Sequence, residues 1–371
     1  MDFKLTKSQE VFKRTVRDFC AKELQPISSK IEKENAIPDS FLQKIGDLKL
    51  YGIPCDREYG GAGQGFTEVV LAIEEIARSS PAAALTYSVH FLPVIAIRQN
   101  ANPAQKSKYL SKLATAGLGS FAFTEADTGS DPSAIRTTAT LQGDHYIING
   151  AKRFITNSSY DGPIVFFARE DDKLHAFIGE KNTPGYASQP LDLIGLRGAK
   201  VCDISLSEWS VPAENLLGNP GAGFPILVDT ISVGKLNVCA MLVGASQAAL
   251  EEAIKYAKEK MVRGKPIANF QTIQCLIADM VTKLETARTM VYRLASLVDE
   301  GGEIHKDSAI TKLLVSEIAV EITTKAMQVQ GCYSYSTDFR TGQLHRDVMI
   351  GTTVEGANEL QRIIIAGSVL R

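Results

Sequence analysis

The hydrophobic periodicity of this chain changes twice along its 371 residues. Residues 1–118 place apolar side chains at helical spacing, residues 119–222 contain short alternating runs between turn residues, and residues 223–371 return to helical spacing. A chain that is helical, then extended, then helical is typical of a multidomain α+β protein. We therefore expect an N-terminal all-α domain (1–118), a middle, largely antiparallel β domain (119–222) and a C-terminal domain resembling a four-helix bundle (223–371).

The same patterns predict individual elements. Helices are expected over about 67–79, 82–99, 103–114, 240–260, 270–299 and 307–330. In the middle region a strand, a turn and a second strand are expected between Thr137 and Ile148, and Gly150 is expected to end the second strand. In the last helix a stripe from Ile310 to Ala326 is predicted to face the core, with Lys and Glu on the other faces.

Composition excludes several classes of function. The chain carries 40 basic and 42 acidic side chains, for a formal net charge of −2, which argues against a protein that coats nucleic acid. No stretch approaches the roughly 20 uninterrupted apolar residues that a membrane-spanning helix needs. We therefore expect neither nucleic acid nor a membrane among its partners.

The six cysteines lie far apart and include no CxxC pair. Structural zinc sites and redox pairs need closely spaced ligands, so we expect no metal site. The N-terminal segment lacks the apolar core of a signal peptide and the Arg- and Ser-rich composition of a transit peptide. We expect a cytoplasmic protein whose cysteines are small buried hydrophobic side chains.

The glycine cluster Gly60–Gly65 is the most obvious candidate for a phosphate-binding loop. It does not fit the pattern GxGxxG, and no strand precedes it as a βαβ unit requires. We interpret it as a joint between helices.

Two segments near the start of the β region combine hydroxyl groups with aromatic rings. In the segment Phe121–Asp131, backbone N–H groups among small residues could approach an anionic or carbonyl-rich ligand. Its hydroxyl groups are those of Thr124, Thr128 and Ser130. The segment Phe154–Asn157 places an aromatic ring beside a hydroxyl, which suits a flat heterocycle with polar edges. A capping loop and ordinary strand packing are the respective alternatives.

Glu355 lies between Val354 and Gly356, just before a predicted helix. A carboxylate in such apolar surroundings would be desolvated and its pKa raised, which suits a general base. A carboxylate at this place could equally cap the N-terminus of the helix. The residues alone leave both roles open.

Taken together, these segments resemble the acyl-CoA dehydrogenase superfamily of flavoproteins, from about Phe3 to Arg371. The motifs that carry the resemblance, in order, are Phe121–Asp131; Lys152–Asn157; Gly195–Gly198 with Val211–Gly218; Gly264–Ile267 with Gln271 and Ala278–Met280; and Arg346–Gln361. The resemblance implies the fold of that family. It also implies FAD as the cofactor, held between the β domain and the C-terminal bundle, partly by a neighbouring subunit.

The resemblance implies a set of residues around the flavin ring. By matched position, Phe121, Thr124 and Thr156 would face the isoalloxazine. Phe154 would take the place of the family's usual Trp beside the ring, and Ser130 would lie near a phosphate.

A second implied set of residues lies in the C-terminal region and acts mostly across a dimer. Lys260 stands where the family has Arg near the pyrophosphate, and Arg263 offers a second cation from a shifted place. Gln271, Gln328 and Glu359 match positions that contact the adenosine half. A homo-oligomer, built as a dimer of dimers, is therefore expected.

The reaction that the resemblance implies is α,β-desaturation of an acyl thioester. Glu355 matches the base that removes the α-proton, while the β-hydrogen leaves as hydride to the flavin. Some family members carry this carboxylate on an earlier helix, at a position that is Gly234 here. Lys235, where the family usually has Arg, is tied to the acyl-CoA pocket. An electron-transfer flavoprotein, or oxygen, would then accept the electrons.

Departures from the family pattern leave the substrate open. They are Lys235, Lys260, the loop Gly331–Tyr335, and Ala357 in place of the usual Thr. We expect an acyl-CoA substrate. One alternative is an acyl group carried on an acyl or peptidyl carrier protein in secondary metabolism, and another is a non-catalytic flavin-binding relative.

Overall fold

The computed structural model describes residues 4–115 and 117–370. Its order of helical, β and helical regions confirms the fold class expected from the periodicity. Residues 1–3, Ala116 and Arg371, which belong to the expected domain ranges or to the resemblance, lie outside the described residues. The domain limits at 118 and 222 stay a prediction.

The described part of the N-terminal region is built from α-helices. They are α1 (Lys7–Glu23), α2 (Ser28–Glu34), α3 (Asp39–Asp47), α4 (Phe66–Ser79), α5 (Pro81–Asn100) and α6 (Pro103–Thr115). Helix α1 begins with a capping box, in which the Thr6 hydroxyl accepts from Gln9 N and the Gln9 side chain accepts from Thr6 N. The predicted helices of this region match α4, α5 and α6 to within one residue at each end.

The glycine cluster is a tightly packed joint that leads into α4. A Cβ atom on Gly61 would lie 2.1 Å from the carbonyl oxygen of Cys55, so only glycine fits there. The interpretation of Gly60–Gly65 as a joint, and not as a phosphate-binding loop after a strand, is confirmed.

The middle region forms one sheet from strands β1 (Ser120–Ala122), β2 (Thr138–Gln142), β3 (His145–Thr156), β4 (Pro163–Glu170), β5 (Lys173–Glu180), β6 (Tyr186–Pro190), β7 (Val201–Pro212) and β8 (Leu216–Leu217). The strand order is β6-β7-β3-β2-β4-β5-β8, with β1 beside β4. Its pairing is largely antiparallel, as expected, although β1 and β2 each run parallel to β4.

Gly150 does not end the second strand, contrary to the expectation. Strand β3 continues through Gly150, where its register against β7 shifts. The φ angle of Gly150 is 153°, and a Cβ atom there would lie 2.6 Å from the hydroxyl oxygen of Thr137. The glycine therefore allows a bulge and a close approach within a continuous strand.

The C-terminal region returns to helices. They are α7 (Gly223–Glu259), α8 (Gln271–Asp299), α9 (His305–Gln330), α10 (Arg340–Met349) and α11 (Asn358–Leu370), with a small hairpin of β9 (Met261–Val262) and β10 (Lys265–Pro266) after α7. Helix α7 begins 17 residues before the expected start at 240 and packs against α4, α5, α8 and α9. It therefore forms the centre of the helical core.

Helix α7 is also the one described helix that is long and apolar enough to cross a membrane by length and composition. Because 83% of its most apolar window is buried inside the protein, its composition is explained by its place in the core.

The buried face of α9 differs from the predicted stripe. Lys312 is fully buried, whereas Ile310 and Leu314 of the stripe are only partly buried. The expectation that the lysines and glutamates of this helix lie on its other faces is therefore wrong at Lys312.

The cysteines follow the expectation only in part. Cys20, Cys55, Cys202 and Cys239 are buried, whereas Cys275 and Cys332 are exposed; all six are free thiols. Among the described residues, no group of three or more His, Cys, Asp or Glu side chains is arranged to hold a metal ion.

Candidate active site

Glu355 lies in the short connection between α10 and α11. Its backbone is left-handed, with a φ angle of 53°, and the following Gly356 has a φ angle of 85°. No described backbone N–H donates to the carboxylate, so the structure does not show the helix-capping role. The carboxylate is instead turned toward α5 and α7.

Gly234 on α7 makes room for this carboxylate. A Cβ atom on Gly234 would lie 3.0 Å from Oε2 of Glu355 and 2.7 Å from a methyl group of Leu92 on α5. Any larger residue at this position would displace one of the two neighbours. The structure thus brings Gly234 and Glu355, the two positions linked by the resemblance, into contact.

The pKa of Glu355 is raised to about 7 because burial penalises the charged form. Lys235 and Lys312 oppose that shift through their positive charges. Neither lysine forms an ion pair with the Glu355 carboxylate in the described structure, and Lys312 donates instead to Gly356 and Asn358. Glu355 is therefore a half-buried carboxylate whose pKa lies near neutral pH, as a general base requires.

Lys235 lies on α7 and is only 5% exposed. Burial lowers its pKa, while the Glu355 carboxylate acts in the opposite direction. The sequence prediction associated this residue with the acyl-CoA pocket. The structure shows it as a buried cation beside Glu355, and a direct contact with substrate stays a prediction.

Lys312 was missed as a functional residue by the sequence prediction. Its Nζ donates to the carbonyl oxygen of Gly356 at 2.8 Å and to the Asn358 side-chain oxygen at 2.8 Å. Burial lowers the pKa of Lys312 to about 8. One sequence signal could have revealed that Lys312 is buried. Small serines, Ser308 and Ser316, stand one helical turn before and after it, on the same face of α9. Lys312 anchors the segment that presents Glu355.

The β domain forms hydrogen bonds with α10, the helix that precedes Glu355 in the chain. Leu196 N donates to Oδ1 of Asp347 at 2.5 Å, and Arg346 Nε donates to the carbonyl oxygen of Ile194 at 2.8 Å. Gly195 fits here because a Cβ atom on it would lie 2.7 Å from the carbonyl oxygen of Arg346. Two distant motifs of the sequence therefore meet and hold α10 against the β domain.

The two segments rich in hydroxyl groups and aromatic rings also meet. Arg153 N donates to the carbonyl oxygen of Thr124 at 2.8 Å. Lys152, which is 1% exposed, donates to Oε1 of Glu125 at 2.8 Å, and Glu125 also accepts from Thr137. This buried ion pair, which the sequence prediction missed, fixes the loop after β1 against β3.

Three family models match the chain almost end to end. They are the acyl-CoA dehydrogenase N-terminal domain over residues 6–117, the middle domain over residues 120–209 and the C-terminal domain over residues 221–370. The chain belongs to the acyl-CoA dehydrogenase family.

Among curated relatives of this acyl-CoA dehydrogenase family member is the acryloyl-CoA reductase (NADH) of Anaerotignum propionicum. It is 37% identical over 380 residues, which cover 100% of this chain and 96% of the relative. Among solved structures, the butyryl-CoA dehydrogenase of Megasphaera elsdenii has a TM-score of 0.97 and 34% identity, with 100% of both chains covered. Both sequence and fold therefore place the chain among oxidoreductases that act on CH–CH groups.

Two more distant solved structures are similar over nearly the full length. The prolyl acyl carrier protein oxidase AnaB has a TM-score of 0.94 and 27% identity, covering 99% of this chain and 100% of AnaB. PigA with FAD and proline has a TM-score of 0.94 and 28% identity, covering 100% of this chain and 99% of PigA. Family membership and the FAD complex of a structural relative support FAD as the cofactor of this chain.

The residues of the β domain fit a flavin. Phe154 is 54% exposed although its backbone is left-handed, with a φ angle of 61°, which is unusual for a bulky residue. The hydroxyl of Thr128 is buried and has no hydrogen-bond partner in the described structure. An exposed aromatic ring and an unpaired hydroxyl on adjoining segments suit a flat heterocycle with polar edges. Phe121 and Thr156 of the predicted set are buried nearby in the same two segments.

Other predicted cofactor residues lie far from Glu355 in the same chain. Lys260 follows Lys235 by 25 positions, and these span about 37 Å along the continuous helix α7. Arg263, in the β9–β10 turn, and Gln271, at the start of α8, lie beyond that end. The single chain therefore does not assemble Lys235, Lys260 and Arg263 into one cationic patch.

The remaining predicted residues are exposed. Ser130 lies in the loop after β1, Gln328 on α9, and Glu359 in the first turn of α11. Of these three, Glu359 is the one whose charge acts on Lys312 and hence belongs to the surroundings of Glu355.

Proposed function

We propose that this protein catalyses α,β-dehydrogenation of an acyl-CoA thioester and that Glu355 removes the α-proton. The observation that carries the proposal is a half-buried carboxylate with no hydrogen-bond donor among the described residues and a pKa raised to about 7. Such a group is free to accept a proton at neutral pH.

The contacts around Glu355 support its role as a base. The gap at Gly234 leaves the carboxylate facing the interface between α5 and α7. Lys312 and Gln361 both donate to the carbonyl oxygen of Gly356, at 2.8 and 2.9 Å, which limits the movement of the loop. A base held in this way is positioned before substrate arrives.

The backbone of the same loop supplies a hydrogen-bond donor. Glu355 N has no acceptor within the described part of the chain. We propose that it donates to the thioester carbonyl oxygen and stabilises the negative charge that develops when the α-proton leaves.

FAD, when bound, takes up the β-hydrogen together with its electron pair, so that the acyl group is oxidised and the cofactor reduced. Phe154 and the loop after β1 would orient the flavin over the substrate. Lys260, Arg263 and Gln271 would contact FAD from a neighbouring subunit in a dimer of dimers, since they lie remote from Glu355 in their own chain. Gln328 would do the same, because it lies about 24 Å beyond Lys312 along α9. An electron-transfer flavoprotein is the proposed acceptor.

The test uses FAD-loaded protein and a panel of acyl-CoA thioesters under anaerobic conditions, with loss of flavin absorbance as the readout. Glu355→Gln is expected to slow bleaching about 100- to 10,000-fold, because general-base catalysis contributes that much. Glu317→Gln is the matched control, since the Glu317 carboxylate pairs with Arg362 on the exposed surface. Bleaching that survives in Glu355→Gln would show that another group is the base.

A carrier-protein substrate is the second candidate. It is supported by the similarity to the prolyl acyl carrier protein oxidase and by Lys235, which departs from the family pattern. Turnover of one acyl group presented on CoA and on a carrier protein separates the two. Equal or faster turnover on CoA would exclude the second candidate.

A further inference from the structure

Helix α7 meets the Glu355 carboxylate at Gly234, and Asn237 lies three residues further along the helix, on the same side. Both positions adjoin α5, Gly234 at Leu92 and Asn237 at Ser88.

Asn237 is only 2% exposed and is incompletely hydrogen-bonded. Its Nδ2 donates to the carbonyl oxygen of Ser88 at 3.3 Å. Because that carbonyl can only accept, the amide nitrogen must face Ser88, and this orients Oδ1 away from it. Oδ1 is buried and has no donor among the described residues.

An unpaired buried acceptor is costly, and proteins retain few of them without a function. An apolar side chain of similar size, such as leucine, would remove the cost at this position. The unpaired oxygen of Asn237 therefore points to a ligand that donates a hydrogen bond.

The distance from Gly234 indicates which part of a ligand would meet Asn237. Three residues span about 4.5 Å along a helix. An extended chain of roughly 1.5 Å bonds advances only about 1.3 Å per bond because of its bond angles, so three to four bonds from the α-carbon to the donor atom cover that distance if the α-carbon lies at the Glu355 carboxylate. The donor is then on the γ- or δ-carbon of the acyl group.

We propose that the acyl group of the natural substrate carries a hydroxyl or amide N–H donor on its γ- or δ-carbon and that Asn237 recognises it. The inference rests on the proposed function, because it assumes that the α-carbon meets Glu355. It assigns Asn237 as a residue that determines substrate specificity. An unsubstituted fatty acyl group would leave the Oδ1 atom of Asn237 without a hydrogen-bond donor.

The test compares each hydroxy acyl group with the acyl group in which methyl replaces the hydroxyl. The pairs are 4-hydroxypentanoyl-CoA with 4-methylpentanoyl-CoA, and 5-hydroxypentanoyl-CoA with hexanoyl-CoA. For FAD-loaded wild-type protein, kcat/KM is expected to be about 10- to 100-fold higher for the hydroxy member of at least one pair. No variant is needed for this comparison, so it does not depend on the folding of a mutant.

Asn237→Leu supplies the second arm. The variant is expected to lower kcat/KM for the preferred hydroxy acyl group and to raise it for the methyl partner, so that the ratio falls to about one or below. Wild-type ratios of one or below in both pairs, or a ratio unchanged in Asn237→Leu, would overturn the inference.

The same assay separates this inference from the proposed function. If no thioester of the panel bleaches the flavin, the proposed function fails. If the methyl-substituted and unbranched thioesters bleach it without any preference for a hydroxyl, the proposed function stands and only the assignment of Asn237 fails.

Discussion

Glu74 is buried and Glu355 is half-buried; each lies near two cations, and only the Glu74 carboxylate accepts hydrogen bonds. Glu74 on α4 is 3% exposed and accepts from Lys13 at 3.0 Å, Arg288 at 3.0 Å and Tyr292 at 2.6 Å. Burial by itself would raise the pKa of Glu74, but these cations and the tyrosine hydroxyl lower it below the ordinary value.

Glu355 also lies near two lysines, but its carboxylate forms no hydrogen bond or ion pair with either of them. Burial raises its pKa to about 7, and the charges of Lys235 and Lys312 only moderate that shift. Lys312 directs its ammonium group to the backbone of Gly356 and to Asn358. The difference shows that direct hydrogen bonds, and not the number of nearby cations, decide whether the pKa of a desolvated carboxylate falls or rises.

The largest expected effect is that of removing the charge of Glu74. In Glu74→Gln, Lys13 and Arg288 would lose the buried carboxylate they share and keep only Glu75 and Glu285, respectively, as ion-pair partners. Breaking a buried ion pair costs about 3–5 kcal/mol. We expect the free energy of unfolding to fall by about this amount at neutral pH, measured by urea denaturation of the FAD-loaded protein.

Glu321→Gln is the matched control, because Glu321 is 40% exposed and pairs with Lys283 and Lys325. Its effect is expected to stay within about 1 kcal/mol. The lowered pKa of Glu74 also predicts how stability depends on pH. The contribution of Glu74 to stability is present above the ordinary pKa of 4.5 and is lost as the pH falls through the folded-state pKa. Equal losses of unfolding free energy in Glu74→Gln and Glu321→Gln would contradict the structural role of Glu74.

Removing the charge of Glu355 is expected to act on stability with the opposite sign. Its pKa is raised from 4.5 to about 7, so its favourable contribution is complete below about 4.5 and is lost as the pH rises through about 7. At 1.36 kcal/mol per pKa unit, the loss is at most about 3 kcal/mol. Glu355→Gln is therefore expected to unfold at a higher temperature than wild type at about pH 8. A difference between the two proteins that does not grow from pH 5 to pH 8 would contradict this interpretation.

The smallest expected effect is a shift in the pH profile. Lys235 lowers the pKa of Glu355, so Lys235→Met is expected to move the midpoint of the rise in kcat/KM to higher pH, by roughly one unit. Lys235→Arg keeps the charge and is expected to retain the wild-type midpoint, whatever its effect on rate. The profiles are measured by anaerobic flavin bleaching, and identical midpoints for the two variants would show that Lys235 does not act on Glu355.

Periodicity predicted the fold well because it reports which face of each element is apolar. The helices of the N-terminal region and the position of Glu355 before α11 were predicted on this basis. Periodicity failed at Lys312, whose buried ammonium group donates to the side chain of Asn358. It also failed at Gly150, where the lack of a side chain makes room for Thr137. Such matches exist only in three dimensions, since the elements that supply the partners are brought together by folding.

At the candidate site, too, some features could be predicted from the sequence and others could not. The sequence motifs identified the segments around Phe154 and Glu355, because unusual residue types cluster there. They did not distinguish Lys235, beside Glu355, from Lys260 at the far end of α7, because proximity along one long helix cannot be judged without its length. The unpaired oxygen of Asn237 was equally hidden, since its partner Ser88 lies on another helix.

The absence of a side chain at Gly234 also has a consequence for how the proposed catalytic centre can change over evolution. Position 234 and the Glu355 carboxylate compete for one volume, with only 3.0 Å between the Gly234 Cβ position and Oε2 of Glu355. If Glu355 is the base, as we propose, a carboxylate added at position 234 would collide with it, and loss of Glu355 alone would leave no base. Transfer of the base from the α10–α11 connection to α7 would then require two coordinated substitutions, and each intermediate along that route would be either crowded or inactive.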